Sequence, residues 1–445
     1  MTSFDTLEEI LYAHSSNKII PGLERISRLL ERLGNPQNSF KAVHIVGTNG
    51  KGSTGAFISS VLKESGYNTC FYSSPHLESP GERLLINGEA LSPAEWIEAA
   101  NLAVSKILPD DKDLPSYFEL LTACAFILAR QHNIEAGVIE AGLGGKLDAT
   151  NLLADTACSV IASVSIDHTE YLGHTLESIA GEKFAVIKPN TPAVFSGLDE
   201  SLIGMFKTFC RENKALPFVV SEQARVDNVK VSPEGNEFDF YSPDLELHGV
   251  RTNLIGAYQI KNAALALSAL SQVREAFPKI SHEAILSGMS KASWHGRLEI
   301  ISREPLIVLD GGHNYDGVKN LCESVRTLWP DKRICVIYAA MRDKDYTGCL
   351  ELFSEKLHPA VYFTTVPGMK RAAGPGELLD SAKKLSWLNE PEGFELPVDA
   401  VNKALSDSDS SYDLVLVCGS LYLIGYIRPR IIELLDTFKV FTQRQ

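Results

Sequence analysis

Residues 41–67, KAVHIVGTNGKGSTGAFISSVLKESGY, constrain this chain more than any other stretch. A short apolar run over 42–46 meets a glycine-rich turn, Gly47-Thr48-Asn49-Gly50-Lys51-Gly52-Ser53, and an amphipathic run follows over 54–64. Strand, glycine loop and helix N-terminus in that order make a phosphate cradle. The glycines let backbone N–H groups turn inward, and the helix dipole favours an anion there. In such a loop Lys51 reaches the outer phosphates and Ser53 offers a hydroxyl to Mg2+. The spacing departs from the common P-loop pattern: Ile45 stands where its first glycine falls, and Gly52 is inserted between the lysine and the hydroxyl residue. A glycine loop alone is often only a tight turn; Gly-Lys-Gly-Ser behind an apolar strand points to phosphate.

At 445 residues one ordinary core is not enough, and two domains with a small insert are expected. With 44% apolar and 22% charged residues the composition is that of a soluble globular protein, and no apolar run reaches membrane-spanning length. The start of the chain is acidic and amphipathic, without the basic residues and small-residue cleavage site of a secretory signal. Eight cysteines sit singly, mostly inside apolar runs, which implies buried free thiols and a cytoplasmic location. A net charge of −14 argues against nucleic acid as a partner but leaves room for an anionic small substrate, which responds to local fields.

Taken in order, residues 19–36 read as a helix whose Arg25, Arg28 and Arg32 form a solvated face. Residues 68–77 read as a strand ending in Ser73-Ser74-Pro75-His76, followed by a short hairpin and a helix capped by Ser92. Residues 117–130 form a strongly apolar helix after Ser116, with Glu119 in its first turn. Residues 134–151 give a buried strand ending in Glu140, then Gly142, Gly144, Gly145 and Asp148. An acid at a strand's end beside a phosphate loop is what Mg2+ needs, since it prefers hard oxygen ligands. The strand over 158–168 delivers Asp167 and His168, and 174–190 gives a helix carrying Lys183, then a strand into Pro189. Alternating runs over 221–250 suggest an antiparallel ribbon, and 253–270 return to helix. A boundary near 291–300 precedes a second α/β unit, with strands over 305–317, 333–341, 360–368 and 412–425 and helices between.

GTNGKGS, SPHL with ERLLING, GLGGKLDATN, IDHTEYLGHTLESIAGEK, YQIKNA, HGRLE and LDGGHN occur in this order over roughly 22–316, with a weaker echo in CGSLYLIG. Together these segments resemble the Mur ligase superfamily, and within it the folylpolyglutamate and dihydrofolate synthases. The resemblance implies an α/β chain: a P-loop-type, mostly parallel sheet domain over 1–295, with its ribbon at about 221–250, then a smaller Rossmann-like domain over 298–445 that carries glutamate-ligase chemistry. It also implies the reaction. ATP phosphorylates a carboxylate, and the amine of L-glutamate attacks the acyl phosphate. Such an enzyme positions reactants and neutralises phosphoryl charge.

By resemblance Gly50, Lys51, Gly52 and Ser53 hold the ATP phosphates, and Asn262, Arg297 and Asp310 contact the nucleotide. Arg297 falls at the expected hinge, within reach of phosphate; Asp310 serves ribose or Mg2+, or only caps a turn. Ser53, Ser74, Glu140 and His168 match Mg2+ ligands, with two metal sites expected. Lys183 matches a lysine carried as a carbamate, an anion that binds or orients the second metal; read alone, it is a surface helix lysine. His313, a catalytic residue by resemblance, faces phosphate or, read alone, is only solvated; in its loop Gly312 replaces the family's alanine and Tyr315 its proline. Gly22, Leu23, Glu24 and Arg25, Ser116, Tyr117, Phe118 and Glu119, and Leu147, Asp148 and Ala149 match segments that contact dihydropteroate. Read alone, Tyr117 and Phe118 are core. Lys146 stands where arginine is frequent, keeping the charge but losing the bidentate fork.

The expected partners are folate or dihydropteroate and L-glutamate, acting on a monomer. Alternatives are a folylpolyglutamate synthase only, or another Mur-type amide ligase. Ligases of cell-wall precursors carry an extra N-terminal domain, whereas about forty residues precede this loop. A P-loop switch requires the standard spacing and an aspartate in place of Glu140. A dinucleotide-binding oxidoreductase requires an acidic residue where Ser73-Ser74 stand.

Overall fold

The structure, a computed structural model, describes residues 6–16, 21–111, 113–408 and 412–442. The chain packs as two compact units, one of residues 1–229, 237–253 and 259–293, the other of residues 230–236, 254–258 and 294–445.

The first unit is built on eight strands: β1 (Lys41–Val46), β2 (Thr69–Tyr72), β3 (Leu84–Ile86), β4 (Glu89–Ala90), β5 (Ala136–Glu140), β6 (Thr156–Ile161), β7 (Pro192–Phe195) and β8 (Leu216–Val219). Their order is β4-β3-β2-β5-β1-β6-β7-β8; β3 is antiparallel to both its neighbours, β2 and β4, and the other pairs are parallel. Parallel strands buried on both faces read as continuous apolar runs, as KAVHIV and AGVIE do. The helices Lys51–Glu64 and Tyr117–Gln131 are buried on nearly every side. The first is amphipathic by sequence, but Gly288 of the helix His282–Lys291 lets that helix close over its other face; a Cβ at Gly288 would lie 2.5 Å from Val61 Cα. A meander of β9 (Arg225–Ser232), β10 (Gly235–Ser242) and β11 (Leu245–Thr252) precedes the helix Ala257–Gln272.

The second unit holds β12 (Glu299–Arg303), β13 (Leu306–Asp310), β14 (Ile334–Tyr338), β15 (Ala360–Phe363), β16 (Glu392–Gly393) and β17 (Leu414–Cys418). Their order is β12-β13-β17-β14-β15-β16, parallel except for the edge strand β12. All eight cysteines are free and buried, and no helix among the described residues is long and apolar enough to cross a membrane.

Several element ends differ from expectation. The helix expected over 19–36 is Glu24–Arg32; its expected start at 19–20 lies outside the described residues, and Pro21 and Gly22 (φ +136) precede it. β2 is Thr69–Tyr72; one rung beyond it, Ser73 N–H still donates to Arg83 O at 2.9 Å in register with β3. β6 stops at Ile161, so Asp167 and His168 ride on a loop rather than a strand end. The helix over 174–190 is Leu176–Phe184, and the next strand begins at Pro192, not before Pro189. The apolar run at 412–425 divides into β17 and the helix Leu421–Thr442 at Gly419, whose φ of +101 suits only glycine.

Candidate active site

The helix Lys51–Glu64 starts three residues earlier than its apolar run, so Lys51, Gly52 and Ser53 form its first turn. Their N–H groups point out of the positive end of the dipole. Gly50 before them sits at φ +87, and a Cβ there would run into the Asn262 side chain. The loop is tied to the chain leaving β6. Thr48 N–H donates to Ser163 O at 2.7 Å and Asn49 N–H to Ser163 Oγ at 2.9 Å. Thr48 Oγ1 donates to Ser165 O and accepts from Ser165 N–H, each at 3.1 Å. Sequence reasoning passed over both serines, although their period-2 spacing puts them on one side of the chain.

Lys51 Nζ donates to Gly47 O at 3.1 Å and Thr48 O at 3.2 Å, and lies 3.8 Å from Glu140 Oε1. Ser53 is buried and accepts from Gln259 Nε2 at 3.2 Å, while Asn262 Nδ2 donates to Gln259 Oε1 at 2.8 Å. Gln259, fully buried, therefore joins two residues expected at the nucleotide. It was missed, and its signal is the three-residue step to Asn262 on one helix face.

Register places the other expected ligands at the same end of the sheet. Tyr72 pairs with Ile139 and Ile45 with Glu140, so Ser74, Glu140 and the phosphate loop leave adjacent strands together. This is the carboxyl end, where open α/β sheets bind ligands. Glu140 is 4% exposed. His168 sits at φ +51 with its ring 42% exposed, Nε2 4.0 Å from Asp167 Oδ2. Lys183 is 3% exposed, which corrects its reading as a surface lysine. The glycine loop after β5 covers its helix: Lys146 N–H donates to Glu182 O at 2.9 Å, and a Cβ at Gly145 would lie 3.2 Å from Lys183 Cα. Burial, with the charge of Lys51, pushes the Lys183 ammonium down to about 7 against the pull of Asp167, Asp148 and Glu182.

Ser53, Ser74 and Glu140 are hard oxygen donors suited to Mg2+. Among the described residues, however, no three His, Cys, Asp or Glu side chains are grouped to hold a metal ion. That fits a cation which takes one carboxylate and a few hydroxyls from protein and the rest from phosphate and water.

The segments expected at the acceptor are brought together, but many of their polar atoms are occupied. Arg25, expected on a solvated face, is 9% exposed; its Nε donates to Glu119 Oε2 at 3.2 Å, and Nη2 donates to Glu119 Oε1 at 3.1 Å and Gly22 O at 3.3 Å. Arg32 forks onto Asp111 at 2.6 and 3.0 Å, with Arg28 Nε 3.6 Å away from the same carboxylate, so that face is an ion-pair cluster. Ser116 and Glu119 cap their own helix reciprocally. Leu23 stands at the N-cap of Glu24–Arg32, and the Glu24 carboxylate lies against Gly22.

Tyr117 and Phe118 are half-buried. Phe118 lies against Gly142, where a Cβ would come 2.5 Å from its Cζ. Leu147 is 46% exposed, while Ala149 is buried. Asp148 turns inward: Oδ2 accepts from Leu143 N–H at 2.8 Å, and Oδ1 from Thr150 N–H and Oγ1 at 3.0 and 2.6 Å. Since the Thr150 hydroxyl donates to Asp148, it accepts from His44 Nε2–H at 2.8 Å. Burial pushes His44 down to about 3, so this imidazole is neutral.

In the second unit Asp310 ends β13 and is 3% exposed. Oδ1 accepts from Gly312 N–H at 2.7 Å, and Oδ2 from Leu298 N–H at 2.9 Å and Tyr258 OH at 3.2 Å. Burial raises its pKa, opposed by Arg297. The Arg297 guanidinium fills the space where Gly311 would carry a Cβ, and Gly311 N–H donates to Gly296 O at 2.8 Å. His313 Nδ1 lies 2.9 Å from Gly311 O, and Asn314 caps the helix Tyr315–Leu328. Gly312, in place of the family's alanine, leaves room for Asp310 Oδ1, which would lie 2.9 Å from a Cβ.

The Mur ligase middle domain matches residues 45–270, and the Mur ligase glutamate ligase domain matches residues 296–421. The chain belongs to the Mur ligase family, among its folylpolyglutamate and dihydrofolate synthases. It is 35% identical to the dihydrofolate synthase/folylpolyglutamate synthase of Bacillus subtilis over 97% of this chain and 99% of that one. The folylpolyglutamate synthase of Mycobacterium tuberculosis, complexed with ADP and AMPPCP, superimposes with a TM-score of 0.87 at 27% identity, covering 95% of this chain and 97% of that one. Escherichia coli FolC in complex with DHPP and ADP gives 0.85 at 26% identity, covering 98% and 99%.

Proposed function

We propose that this Mur ligase is an ATP-dependent enzyme that adds L-glutamate through an acyl phosphate to dihydropteroate, to a tetrahydrofolate (poly)glutamate, or to both. The observation that carries the reading is the helix-opening loop Gly50–Ser53 with Lys51 Nζ 3.8 Å from buried Glu140. Phosphate and cation chemistry thus share the carboxyl end of one sheet.

The backbone N–H groups of Lys51, Gly52 and Ser53 bind the phosphates, and Lys51 draws charge from the transferring group. Ser53, Ser74, Glu140 and His168 would hold Mg2+, which when bound neutralises phosphoryl charge and aligns the oxygens. Lys183 is carried as a carbamate. The support is its burial beside Lys51: a second ammonium there is disfavoured, whereas an anion at that nitrogen meets a cation. Leu147, Tyr117 and Phe118 contact the flat ring of the acceptor. Gly22, Leu23, Glu24, Arg25, Ser116, Glu119, Asp148 and Ala149 shape that region from behind. In the second unit Arg297 and Asp310 serve the nucleotide, as Asn262 does in the first, and His313 meets phosphate. The enzyme works as a cytoplasmic monomer, in keeping with eight buried free thiols.

The test is an assay of the purified protein with ATP, Mg2+ and glutamate, run separately with dihydropteroate and tetrahydrofolate. ADP and phosphate appear only when an acceptor is present, and the Lys51→Ala variant is inactive. Hydrolysis indifferent to glutamate and to both acceptors refutes the assignment.

A further inference from the structure

Arg83 is a buried cation of the first unit that the reaction as described leaves without a task. It is 9% exposed and directly precedes β3, where Leu84 pairs with Tyr72. Its carbonyl accepts from Ser73 N–H at 2.9 Å, so it flanks the turn that carries Ser74. Its Nε donates to His76 Nδ1 at 3.0 Å, a neutral partner through a ring lone pair. Among the described residues its terminal nitrogens have no protein acceptor, and no carboxylate pairs with it. The adjacent Glu82 spends its oxygens on the N–H groups of Leu77, Glu78 and Ser79. Those terminal nitrogens are not fully sealed from solvent. Tyr72 and Tyr117 both lie within the field of this guanidinium.

A buried cation without a counter-charge is costly to keep, and a guanidinium's rigid fork matches a carboxylate. Here it flanks the Ser74 turn, and its charge reaches Tyr117, whose ring is proposed to contact the acceptor. The terminal glutamyl residue of a folate carries two carboxylates. One becomes the acyl phosphate, and the other takes no part in bond making. Dihydropteroate carries only the reacting one.

We infer that Arg83 binds the non-reacting carboxylate of a glutamylated acceptor, and so sets how well the enzyme extends folates relative to dihydropteroate. The inference rests on the ligase reading above and deepens it. The carboxylate can also come from the amino-acid substrate, and the experiment separates the two.

Steady-state kinetics of wild type, Arg83→Gln and Arg83→Lys are measured with each acceptor, with ATP and with L-glutamate. Arg83→Gln raises KM for tetrahydrofolate at least tenfold, changes KM for dihydropteroate, ATP and glutamate less than threefold, and Arg83→Lys recovers part of the loss. A wild-type measurement covers the case of a variant that does not fold: an acceptor whose non-reacting carboxylate is replaced by a carboxamide binds wild type at least tenfold more weakly. Equal effects on both acceptors, a rise in KM for glutamate instead, or full tolerance of the carboxamide overturns the inference. A wild-type enzyme that uses dihydropteroate but no glutamylated acceptor also overturns it and leaves the ligase reading standing. Ligation to neither acceptor is the separate failure of that reading.

Discussion

At the residue scale, Lys183 shows how far burial changes a side chain's chemistry. A helix lysine beside Glu182 looks solvated, yet the glycine loop after β5 closes over it and leaves 3% exposed. Lys183→Ala should lower turnover at least a hundredfold, and short carboxylic acids should restore part of it by standing in for the carbamate. No rescue, together with no carbon-13 carbamate signal from labelled bicarbonate, counts against the modification. Gln259 makes a second case. Gln259→Leu strands the hydroxyl of Ser53 and the amide of Asn262, a cost of about 1–3 kcal/mol for buried groups. It should raise KM for ATP at least fivefold while leaving KM for the acceptor unchanged, and an unaltered KM for ATP would refute the bridging role. The placement of Gly-Lys-Gly-Ser at a helix start and of Glu140 at a strand end was legible because both lie in local patterns. Arg25 with Glu119, and His44 with Thr150, were not legible. These partners lie 94 and 106 positions apart, and periodicity carries no information about pairs that only the fold brings together.

At the element scale, strand centres were readable and strand ends were not. Apolar runs mark where a chain is buried, but what ends a strand is the competing partner its next N–H finds. Beyond Ile161 that partner is the phosphate loop, through Ser163 and Ser165. The HGRLE turn shows the same competition on a titratable group. Glu299 at the head of β12 accepts from Gly296 N–H at 2.9 Å and from Arg428 Nη2 at 2.8 Å, with His295 Nδ1 2.7 Å away. Burial alone would raise its pKa, but His295, Arg428 and the Gly296 N–H hold it down to about 2. A carboxylate with a depressed folded pKa contributes stability that is complete above its unfolded value and is lost as pH falls through the folded one. Here the window runs from about 4.5 down to about 2, and the contribution is about 3 kcal/mol. Glu299→Gln should therefore melt several degrees below wild type at pH 6, with the gap closing as pH approaches 2.5. A gap that stays constant with pH would show that the clamp does not depend on charge.

At the scale of the whole molecule, the proposed function asks a chain with net charge −14 to hold a triphosphate, a divalent ion and an acidic acceptor. Local arrangement has to overcome that overall sign. On the proposed reading the phosphate loop does so with N–H dipoles and Lys51, which need no partner from the ligand other than its oxygens. The cation is in a different position, because its protein donors include one buried carboxylate and, among the described residues, no cluster of three acidic or imidazole groups. On the proposed reading Mg2+ arrives with the nucleotide rather than ahead of it. A ligand that binds only the folded chain stabilises it by RT ln(1 + [L]/Kd), about 2.7 kcal/mol at a hundredfold excess over Kd. Millimolar Mg2+ alone should then shift the thermal midpoint by less than about 1 °C, whereas Mg2+ with ATP at saturation should raise it by several degrees. ATP with a chelator should give a smaller shift, and Lys51→Ala should abolish all of it. If Mg2+ alone stabilises as much as the pair, a preformed metal site exists and Glu140 is only one of its ligands.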